Sequence, residues 1–204
     1  MENVEFDNQF RINGLKYLCG VDEAGRGPFA GPVCAAAVIL PEGLEIEGLN
    51  DSKKLTEKKR EALFPIICEK ALAYSIAFAD VQEIEEYNIL QATFLAMKRA
   101  VDQLDIQPQY ILVDGNRLPP NLPAPAQPLI KGDALSASVA AASVLAKVSR
   151  DRLMYELDQE YPQYGFGTHK GYGTAAHCEA IIKYGVLPCH RPSFLKKLFD
   201  RQKG

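Results

Sequence analysis

Two adjacent acids lie at the end of a short apolar run near the start of the chain. Asp22 and Glu23 follow residues 17–21 and precede the turn sequence Ala-Gly-Arg-Gly-Pro at residues 24–28. A structural turn uses glycine and proline, but it gains nothing from two acids and an arginine packed beside them. Carboxylate oxygens are hard ligands that suit Mg²⁺ or Mn²⁺, and glycine lets a backbone approach a bulky partner. The stretch indicates a metal-dependent site, and a charged surface turn is the alternative.

Two further acids occur in similar settings. Asp114 follows the apolar residues 110–113, and Asp133 follows a shorter apolar run at 129–130. Parallel strands bring their carboxyl ends to one edge of a sheet, so we expect Asp114 to lie near Asp22. Asp133 stands at the start of a long helix rich in small residues, where the helix dipole favours an ionised carboxylate. Acting only as the helix N-cap is the alternative role for Asp133.

This set of acids predicts which metal and which chemistry the site supports. Three or four carboxylates without a histidine cluster favour octahedral Mg²⁺ or Mn²⁺ over zinc. The three histidines of the chain have no zinc-ligand spacing, and none pairs locally with a serine or cysteine. Two divalent ions about 3.5–4 Å apart can stabilise the attacking and leaving oxygens of a phosphodiester. The acids would have to stay ionised to hold such ions.

The glycines after the first acids do not form a nucleotide-binding loop. Gly25, Gly27 and Gly31 follow an apolar run, but their spacing is one residue too long for the dinucleotide fingerprint, and Pro28 and Pro32 interrupt it. The residues that follow are typical of a strand, so no helix N-terminus is available for a pyrophosphate. No Gly-Lys-Ser/Thr sequence ends the turn either. We therefore predict no nucleotide cofactor.

Length and composition are those of a globular protein. The chain has 204 residues, 47% of them hydrophobic, which allows one domain over residues 1–204 with a sizeable core. No apolar run is long enough to span a bilayer, and the acidic start lacks the layout of a signal peptide. We expect a cytoplasmic protein whose five cysteines are reduced. Because the net charge is −3, nucleic-acid binding would need a local basic face.

Hydrophobic periodicity predicts alternating strands and helices, as in an α/β protein. The predicted strands are 17–21, 33–40, 71–79 and 109–113, with a brief strand at 129–133 that ends in Asp133. The predicted helices are 57–64, 88–104, 135–157 and 174–184, the first capped by Asp51 or Thr56. A proline-rich surface loop at 118–128 has an open role. No internal repeat or linker divides the chain.

Two regions carry the cations that a polyanion would need. The densest basic cluster runs from Lys53 and Lys54 to Arg60, and a solvated helix face is its alternative explanation. Residues 164–173 combine glycines, aromatic rings and Lys170, a composition that suits stacking on bases or sugars with charges on phosphates. Arg191 follows in a second short motif. We predict a local binding face that includes Lys53, Lys54, Lys170 and Arg191.

With these residues in view, the sequence resembles bacterial ribonuclease HII. The resemblance rests on motifs that occur in family order from about residue 17 to residue 199. They are Asp-Glu-Ala-Gly-Arg-Gly-Pro at 22–28, Asp-Ser-Lys-Lys-Leu at 51–55, Val-Asp-Gly at 113–115, Lys-Gly-Asp at 131–133, Ala-Ala-Ser-Val-Leu-Ala-Lys at 141–147, His-Lys-Gly-Tyr-Gly at 169–173 and His-Arg-Pro-Ser-Phe at 190–194. The resemblance implies a ribonuclease H-like fold, a five-stranded mixed sheet flanked by helices, with a helical C-terminal portion at about 160–204 that contributes to substrate binding.

The resemblance also implies a role for each matching residue. The metal-binding catalytic acids would be Asp22, Glu23, Asp114 and Asp133, holding Mn²⁺ or Mg²⁺. Gly25, Arg26 and Gly27 would grip the backbone at the ribonucleotide and sense its 2′-hydroxyl through main-chain groups. Tyr172 would stack on the sugar at the RNA–DNA junction, and Lys53 and Lys54 would contact phosphates.

The implied activity is endonucleolytic. It would hydrolyse the RNA strand of RNA–DNA hybrids and cut 5′ of single ribonucleotides in duplex DNA, leaving 3′-hydroxyl and 5′-phosphate ends. Its partners would be these nucleic acids, with no membrane; we expect a monomer, and docking on a sliding clamp has no support in the sequence. The related ribonuclease HIII family has an extra N-terminal domain and lacks the arginine of the Gly-Arg-Gly turn.

Two other functions compete with this one. A proofreading-type 3′–5′ exonuclease also uses clustered acids, but its first motif is usually Asp-x-Glu rather than adjacent Asp-Glu. A non-catalytic nucleic-acid-binding module could use the same basic and aromatic loops, yet it would have no use for four acids brought together.

Overall fold

The computed structural model describes residues 2–49 and 55–200 and builds them around one mixed sheet. The strands are β1 (Leu18–Ala24), β2 (Val33–Ile39), β3 (Ala73–Ala79), β4 (Tyr110–Asp114) and β5 (Ala126–Leu129). Their order across the five-stranded sheet is β3-β2-β1-β4-β5. Strand β2 is antiparallel to β1 and β3, whereas β1, β4 and β5 run parallel. The predicted five-stranded mixed sheet is confirmed.

Helices cover both faces of this sheet and form the C-terminal portion. They are α1 (Glu2–Asn8), α2 (Glu57–Lys70), α3 (Val81–Asp102), α4 (Gly132–Leu135), α5 (Ala137–Glu160), α6 (Phe166–His169), α7 (Ala175–Tyr184) and α8 (Pro192–Asp200). Helix α3 packs on one face, and α2 and α5 pack on the other. In the described part of the chain, no helix is both long and apolar enough to cross a membrane.

Burial of the sheet on both sides follows from its composition. All seven residues of β2 are buried, and alternate ones belong to the core clusters on opposite faces. Small residues bring α5 close to the sheet. A Cβ added at Gly20 in β1 would collide with the backbone of Ser138, so glycine is required at this crossing. This close approach sets the distance between α5 and the acids at the end of β1.

The segment between the proline-rich loop and α5 differs from the prediction. The brief strand predicted at 129–133 is wrong, because β5 ends at Leu129 and Asp133 lies in the short helix α4. Strand β5 is an edge strand, where Pro128 is tolerated although it has no N–H to donate. Lys131 then adopts a left-handed φ of 59°, which turns the chain before Asp133. Part of the proline-rich loop therefore belongs to the sheet.

The helix caps explain where helices begin. Thr56 caps α2 by accepting a hydrogen bond from the Lys59 N–H, while the alternative cap Asp51 lies outside the described residues. Residues 80–83 have the sequence pattern of a capping box and form one: the Asp80 side chain accepts from the Glu83 N–H, and the Glu83 side chain accepts from the Asp80 N–H, so α3 begins earlier than the predicted start near residue 88. Asn88, the predicted start, is a kink with φ 67° whose side chain caps the second segment. All five cysteines lie in the described ranges and are free.

Candidate active site

Asp22 and Asp114 lie side by side at the carboxyl ends of two parallel strands. The register of β1 and β4 pairs Val21 with Val113, and the two acids follow directly. Asp22 is buried, with 3% of its surface exposed, on the face that α5 covers. Ser143 of α5 donates a side-chain hydrogen bond to Asp22. The topology thus brings together two acids that are far apart in the sequence.

Glu23 follows Asp22 in an extended strand, so its side chain starts from the opposite face of the sheet. Its backbone N–H donates to Oδ1 of Asp22 at 2.7 Å, and its Oε1 lies 3.3 Å from Nη1 of Arg26. Two clefts of about 260 and 270 Å³ meet at Glu23, Arg26 and Asp114. The first also contains Asp22 and opens toward α5; the second opens toward α3. Glu23 and Asp114 therefore border both clefts.

The acids repel one another. Burial raises the pKa of Asp22 well above its ordinary value, and the neighbouring charges of Glu23 and Asp114 raise it further. Hydrogen bonds from Ser143 and from the Glu23 backbone oppose these effects only in part. A bound cation would relieve this repulsion and keep Asp22 ionised. The electrostatics of the cleft therefore favour a positively charged ligand.

The carboxylate oxygens of the cleft are suitable ligands for a hard divalent ion, although the acids do not yet converge on one point. Within residues 2–49 and 55–200, no three His, Cys, Asp or Glu side chains converge closely enough to hold a metal. The cleft nevertheless offers carboxylate oxygens from Asp22, Glu23 and Asp114, the ligand type that Mg²⁺ and Mn²⁺ prefer. The three histidines of the protein lie outside this cleft. The residues present therefore fit Mg²⁺ or Mn²⁺ and not zinc.

Asp133 lies behind this cleft. It is 2% exposed in α4, and it does not belong to the described residues that line either cleft. Its neighbour Gly132 donates its backbone N–H to Oδ1 of Asp114 at 2.7 Å. The segment that carries Asp133 therefore orients Asp114 through the Gly132 backbone.

The Gly-Arg-Gly turn is held from inside by a buried arginine. Arg191 donates to the carbonyl oxygens of Gly25 at 2.7 Å, Arg26 at 3.0 Å and Gly31 at 2.9 Å. A second buried arginine, Arg150, donates to the carbonyls of Ala30, Pro32 and Lys170, each at 3.0 Å. Gly25 has a φ of 92°, and a Cβ there would collide with the Arg150 side chain, so this position requires glycine.

These bonds also orient the peptide groups of the turn. In a trans peptide the C=O and the following N–H point in opposite directions, and none of the described peptide bonds is cis. The carbonyls of Gly25 and Arg26 face Arg191. The N–H groups of Arg26 and Gly27 therefore point the other way, and both residues line the cleft that contains Asp22.

Tyr172 lies on the far wall of the same cleft. Its ring is half-exposed, and a Cβ built on Gly27 would be 3.5 Å from its Cε1 atom. The loop that carries it is anchored through successive carbonyls. The Gly171 carbonyl accepts a hydrogen bond from the Phe29 N–H at 2.8 Å, and the Tyr172 carbonyl accepts one from Nδ1 of His177 at 2.9 Å. Tyr172 thus faces the Gly-Arg-Gly turn across a short gap.

The predicted basic face needs correction at two residues. Lys170 is 8% exposed, donates to the Gly167 carbonyl and lies 3.9 Å above the Tyr155 ring. Arg191 is fully buried, and burial with the nearby charge of Arg150 lowers its pKa to about 9. Both side chains support loops and present no exposed charge to a phosphate. Lys53 and Lys54 lie outside the described residues.

Sequence reasoning missed several residues of the site. Arg150, Ser143 and Lys147 all lie on α5, where Lys147 lines the cleft and pairs with Asp151 at 2.6 Å. The three histidines, which showed no useful spacing, come together behind Tyr172. Of these residues, only those on α5 could have been found from the sequence, because their polar side chains interrupt a run of small residues that pack against the sheet.

Comparisons with known proteins agree with this geometry. The family model described as ribonuclease HII matches residues 19–197. A ribonuclease HII from Marinomonas sp. strain MWYL1 is 60% identical over 185 residues, which cover 90% of this chain and 93% of that protein. The crystal structure of ribonuclease H2 from Pyrococcus horikoshii OT3 is similar with a TM-score of 0.74 and 31% identity, covering 91% of this chain and 98% of that one. Bst-RNase HIII in complex with Mn²⁺ shares the fold, with a TM-score of 0.72 at 19% identity over 92% of this chain and 70% of that one.

Proposed function

The chain belongs to the ribonuclease HII family of metal-dependent endonucleases, which hydrolyse the RNA strand of RNA–DNA hybrids, and we propose that it also cuts duplex DNA at single embedded ribonucleotides. The cut would fall 5′ of the ribonucleotide and leave 3′-hydroxyl and 5′-phosphate ends. Such a cut would begin the removal of ribonucleotides from DNA. The observation that carries this proposal is the short gap between the Gly-Arg-Gly turn and Tyr172, beside Asp22.

That gap has the chemistry to read a sugar. The N–H groups of Arg26 and Gly27 point away from Arg191, and both residues line the cleft, so a ribose 2′-hydroxyl bound there could accept a hydrogen bond from one of them. On the opposite wall, the Tyr172 ring offers an apolar face that suits a deoxyribose lacking that hydroxyl. A ribonucleotide followed by a deoxyribonucleotide would satisfy both walls. The substrate would therefore be recognised at the RNA–DNA junction.

Asp22, Glu23 and Asp114 would hold the divalent ions, with Asp133 contributing directly or through Gly132 and Asp114. Two bound ions, Mg²⁺ or Mn²⁺, would supply an activated water and stabilise the departing 3′ oxygen. The protein's own part is to keep these carboxylates ionised and oriented. The Ser143 bond to Asp22 and the Gly132 bond to Asp114 serve that orientation.

The helical C-terminal portion, from about residue 160, would contribute to substrate binding through Tyr172. Lys53 and Lys54 would contact phosphates outside the clefts. We propose a monomer that acts in the cytoplasm, because bacterial chromosomal DNA, the source of embedded ribonucleotides, lies there.

The test compares three duplexes of one sequence: all DNA, DNA with one ribonucleotide, and a continuous RNA–DNA hybrid. Each is incubated with the purified protein and Mg²⁺ or Mn²⁺, and the ends are mapped. We expect the single-ribonucleotide duplex to be cut at one position, 5′ of the ribonucleotide, and the all-DNA duplex to stay intact. Polymerase extension of the new end would identify its 3′-hydroxyl. Asp114→Asn is the control against a contaminating nuclease.

If the continuous hybrid were cut well and the single-ribonucleotide duplex not at all, the junction-reading role would be wrong. The protein would then hydrolyse the RNA strand of hybrids, as its family does, but would not cut at single ribonucleotides in DNA.

A further inference from the structure

The three histidines of the chain lie together behind the loop that carries Tyr172. His177 and His190 are buried, and their Nε2 atoms are 3.1 Å apart. The His169 ring stacks on His177 with 4.3 Å between ring centroids. Their spacing in the sequence gives no hint of this cluster, and the proposed chemistry at the acids does not use it.

Backbone partners fix where the protons lie. The Leu187 N–H donates to Nδ1 of His190 at 2.9 Å, so neutral His190 carries its proton on Nε2. The Tyr172 carbonyl can only accept, so His177 must donate to it from Nδ1, 2.9 Å away. The Nε2 atom of neutral His177 is then bare and accepts the Nε2–H of His190. The result is a chain of three hydrogen bonds that all run toward Tyr172.

We infer that His177 and His190 are positioning residues, which hold Tyr172 in place for junction cleavage through this hydrogen-bond chain. The inference rests on the proposed role of the Tyr172 ring. Neither imidazole reaches the cleft, so both act only through the Tyr172 backbone. The hydrogen-bond chain forms in only one protonation state. A second proton on His177 would place its Nε2–H against the Nε2–H of His190.

The loop needs such support. Lys170 and Gly171 have φ values of 52° and 82°, and a left-handed lysine persists only when its surroundings hold it. The carbonyls before Tyr172 are held by Arg150 and by the Phe29 N–H. The Tyr172 carbonyl is held by the Thr174 N–H at 2.8 Å and by His177. Burial lowers the pKa of His177 and of His190 to about 4, in keeping with neutral rings at pH 7.

Two substitutions of similar shape separate the hydrogen bond from simple packing. His177→Asn keeps an N–H that can reach the Tyr172 carbonyl, whereas His177→Leu removes it. On the single-ribonucleotide duplex, we expect His177→Leu to lower kcat by about 10- to 100-fold with a smaller change in KM. His177→Asn should stay within about threefold of the unaltered protein. Equal activity of the two variants would overturn the inference.

A double-mutant cycle tests whether the effect runs through Tyr172. Tyr172→Ala should lower kcat, and adding His177→Leu to it should cause little further loss. Multiplied losses would mean that His177 acts elsewhere, and the inference would be wrong. If Tyr172→Ala alone leaves cleavage unchanged, the proposed junction reading itself fails. If Tyr172→Ala is impaired but His177→Leu is not, only the positioning role fails.

The unaltered protein provides a test that depends on no variant. Because the chain has three histidines, ¹⁵N-imidazole NMR at pH 7 can resolve and assign each ring. We expect the proton on Nδ1 of His177 and on Nε2 of His190. A His177 ring protonated on Nε2 alone, or on both nitrogens, would contradict the chain. This measurement decides the matter even if His177→Leu fails to fold.

Discussion

Arg191 donates from Nη2 to the carbonyl oxygen of Gly25 at 2.7 Å, a contact that joins positions 166 residues apart in the sequence. It connects the last motif of the chain to the turn beside the acids. The same guanidinium also bonds the carbonyl of Arg26, so two successive peptides are oriented by one buried side chain. The shape of the turn beside the acids therefore depends on a buried side chain that lines neither cleft.

Arg191→Lys should disrupt both folding and cleavage. An ammonium group cannot replace the fork of donors that reaches three carbonyls, and unsatisfied buried acceptors cost about 1–3 kcal/mol each. We expect the free energy of unfolding to fall by about 3 kcal/mol. The kcat on a single-ribonucleotide duplex should fall at least about tenfold, as misplaced groups at the site predict.

The matched control is Arg152→Lys, since Arg152 pairs with Glu61 at the surface. Such a pair contributes little, so stability and activity should stay nearly unchanged. Urea unfolding followed by fluorescence or circular dichroism measures the first quantity. An Arg191→Lys protein as stable and active as the control would remove Arg191 from this role.

Removing the charge of either Asp22 or Asp114, the acid pair at the ends of β1 and β4, should abolish activity and stabilise the metal-free protein. Asp22→Asn and Asp114→Asn each remove a carboxylate that would hold the ions, so we expect kcat to fall about a thousandfold. Burial and its charged neighbours already raise the pKa of Asp22, and the amide relieves this repulsion. The melting temperature without metal should therefore rise.

The control for the acid pair is Asp102→Asn, at an exposed ion pair with Lys98. It should change neither quantity measurably. Metal-dependent cleavage by Asp114→Asn within tenfold of the unaltered protein would remove Asp114 from the metal site.

The acids could be predicted because their signal is local. Asp22 and Asp114 each end an apolar run, and parallel pairing alone then makes them neighbours. The fold was accessible for the same reason, since the buried strands read directly as apolar segments. Errors occur where tertiary contacts decide, as at Lys131, whose left-handed turn separates Asp133 from β5.

Burial of charged residues could not be predicted in the same way. Lys170 lies in the glycine- and aromatic-rich segment 164–173 and Arg191 in the motif at 190–194, and sequence alone favours an exposed phosphate contact for both. Their burial depends on backbone carbonyls that only the folded chain supplies. The histidine chain is hidden for a similar reason, because His177 and His190 meet only after α7 has packed against the C-terminal segment.

Asp133→Asn should be milder than Asp22→Asn. Asp133 is buried outside both clefts, and its neighbour Gly132 donates through the backbone to Asp114, which the substitution leaves in place. We expect kcat at saturating metal to fall about 10- to 100-fold, the usual loss for an outer-shell group. Titration with Mn²⁺ measures the metal dependence of both variants. A loss as large as that of Asp22→Asn, at every Mn²⁺ concentration, would make Asp133 a direct ligand.

Replacing Lys53 and Lys54 together by alanine should weaken binding without changing which duplex is cut. If each lysine contacts one phosphate, the slope of log affinity against log salt should decrease by about two. The matched control is the neighbouring pair Lys58 and Lys59, both exposed at the start of α2. A slope unchanged by the first pair would identify it as a solvated face.

The histidine chain makes stability depend on pH. Burial is the main cause that lowers the pKa of His177 and His190 to about 4, and the nearby His169 contributes to both. The unfolded chain binds protons near pH 6.5, so it holds more of them than the folded protein between pH 6.5 and 4. Stability from these rings is therefore complete above pH 6.5 and is lost as the pH falls toward 4.

His177→Asn isolates one ring, because asparagine does not titrate in this range. Between pH 7 and pH 5, the unaltered protein should lose about 2 kcal/mol more of its free energy of unfolding than this variant does. Carboxylates elsewhere, including Asp7 with its raised pKa, contribute equally to both proteins and cancel in the difference. Urea unfolding at the two pH values measures it. An identical loss in both proteins would show that His177 is not held neutral by the fold, and the hydrogen-bond chain to Tyr172 would lose its basis.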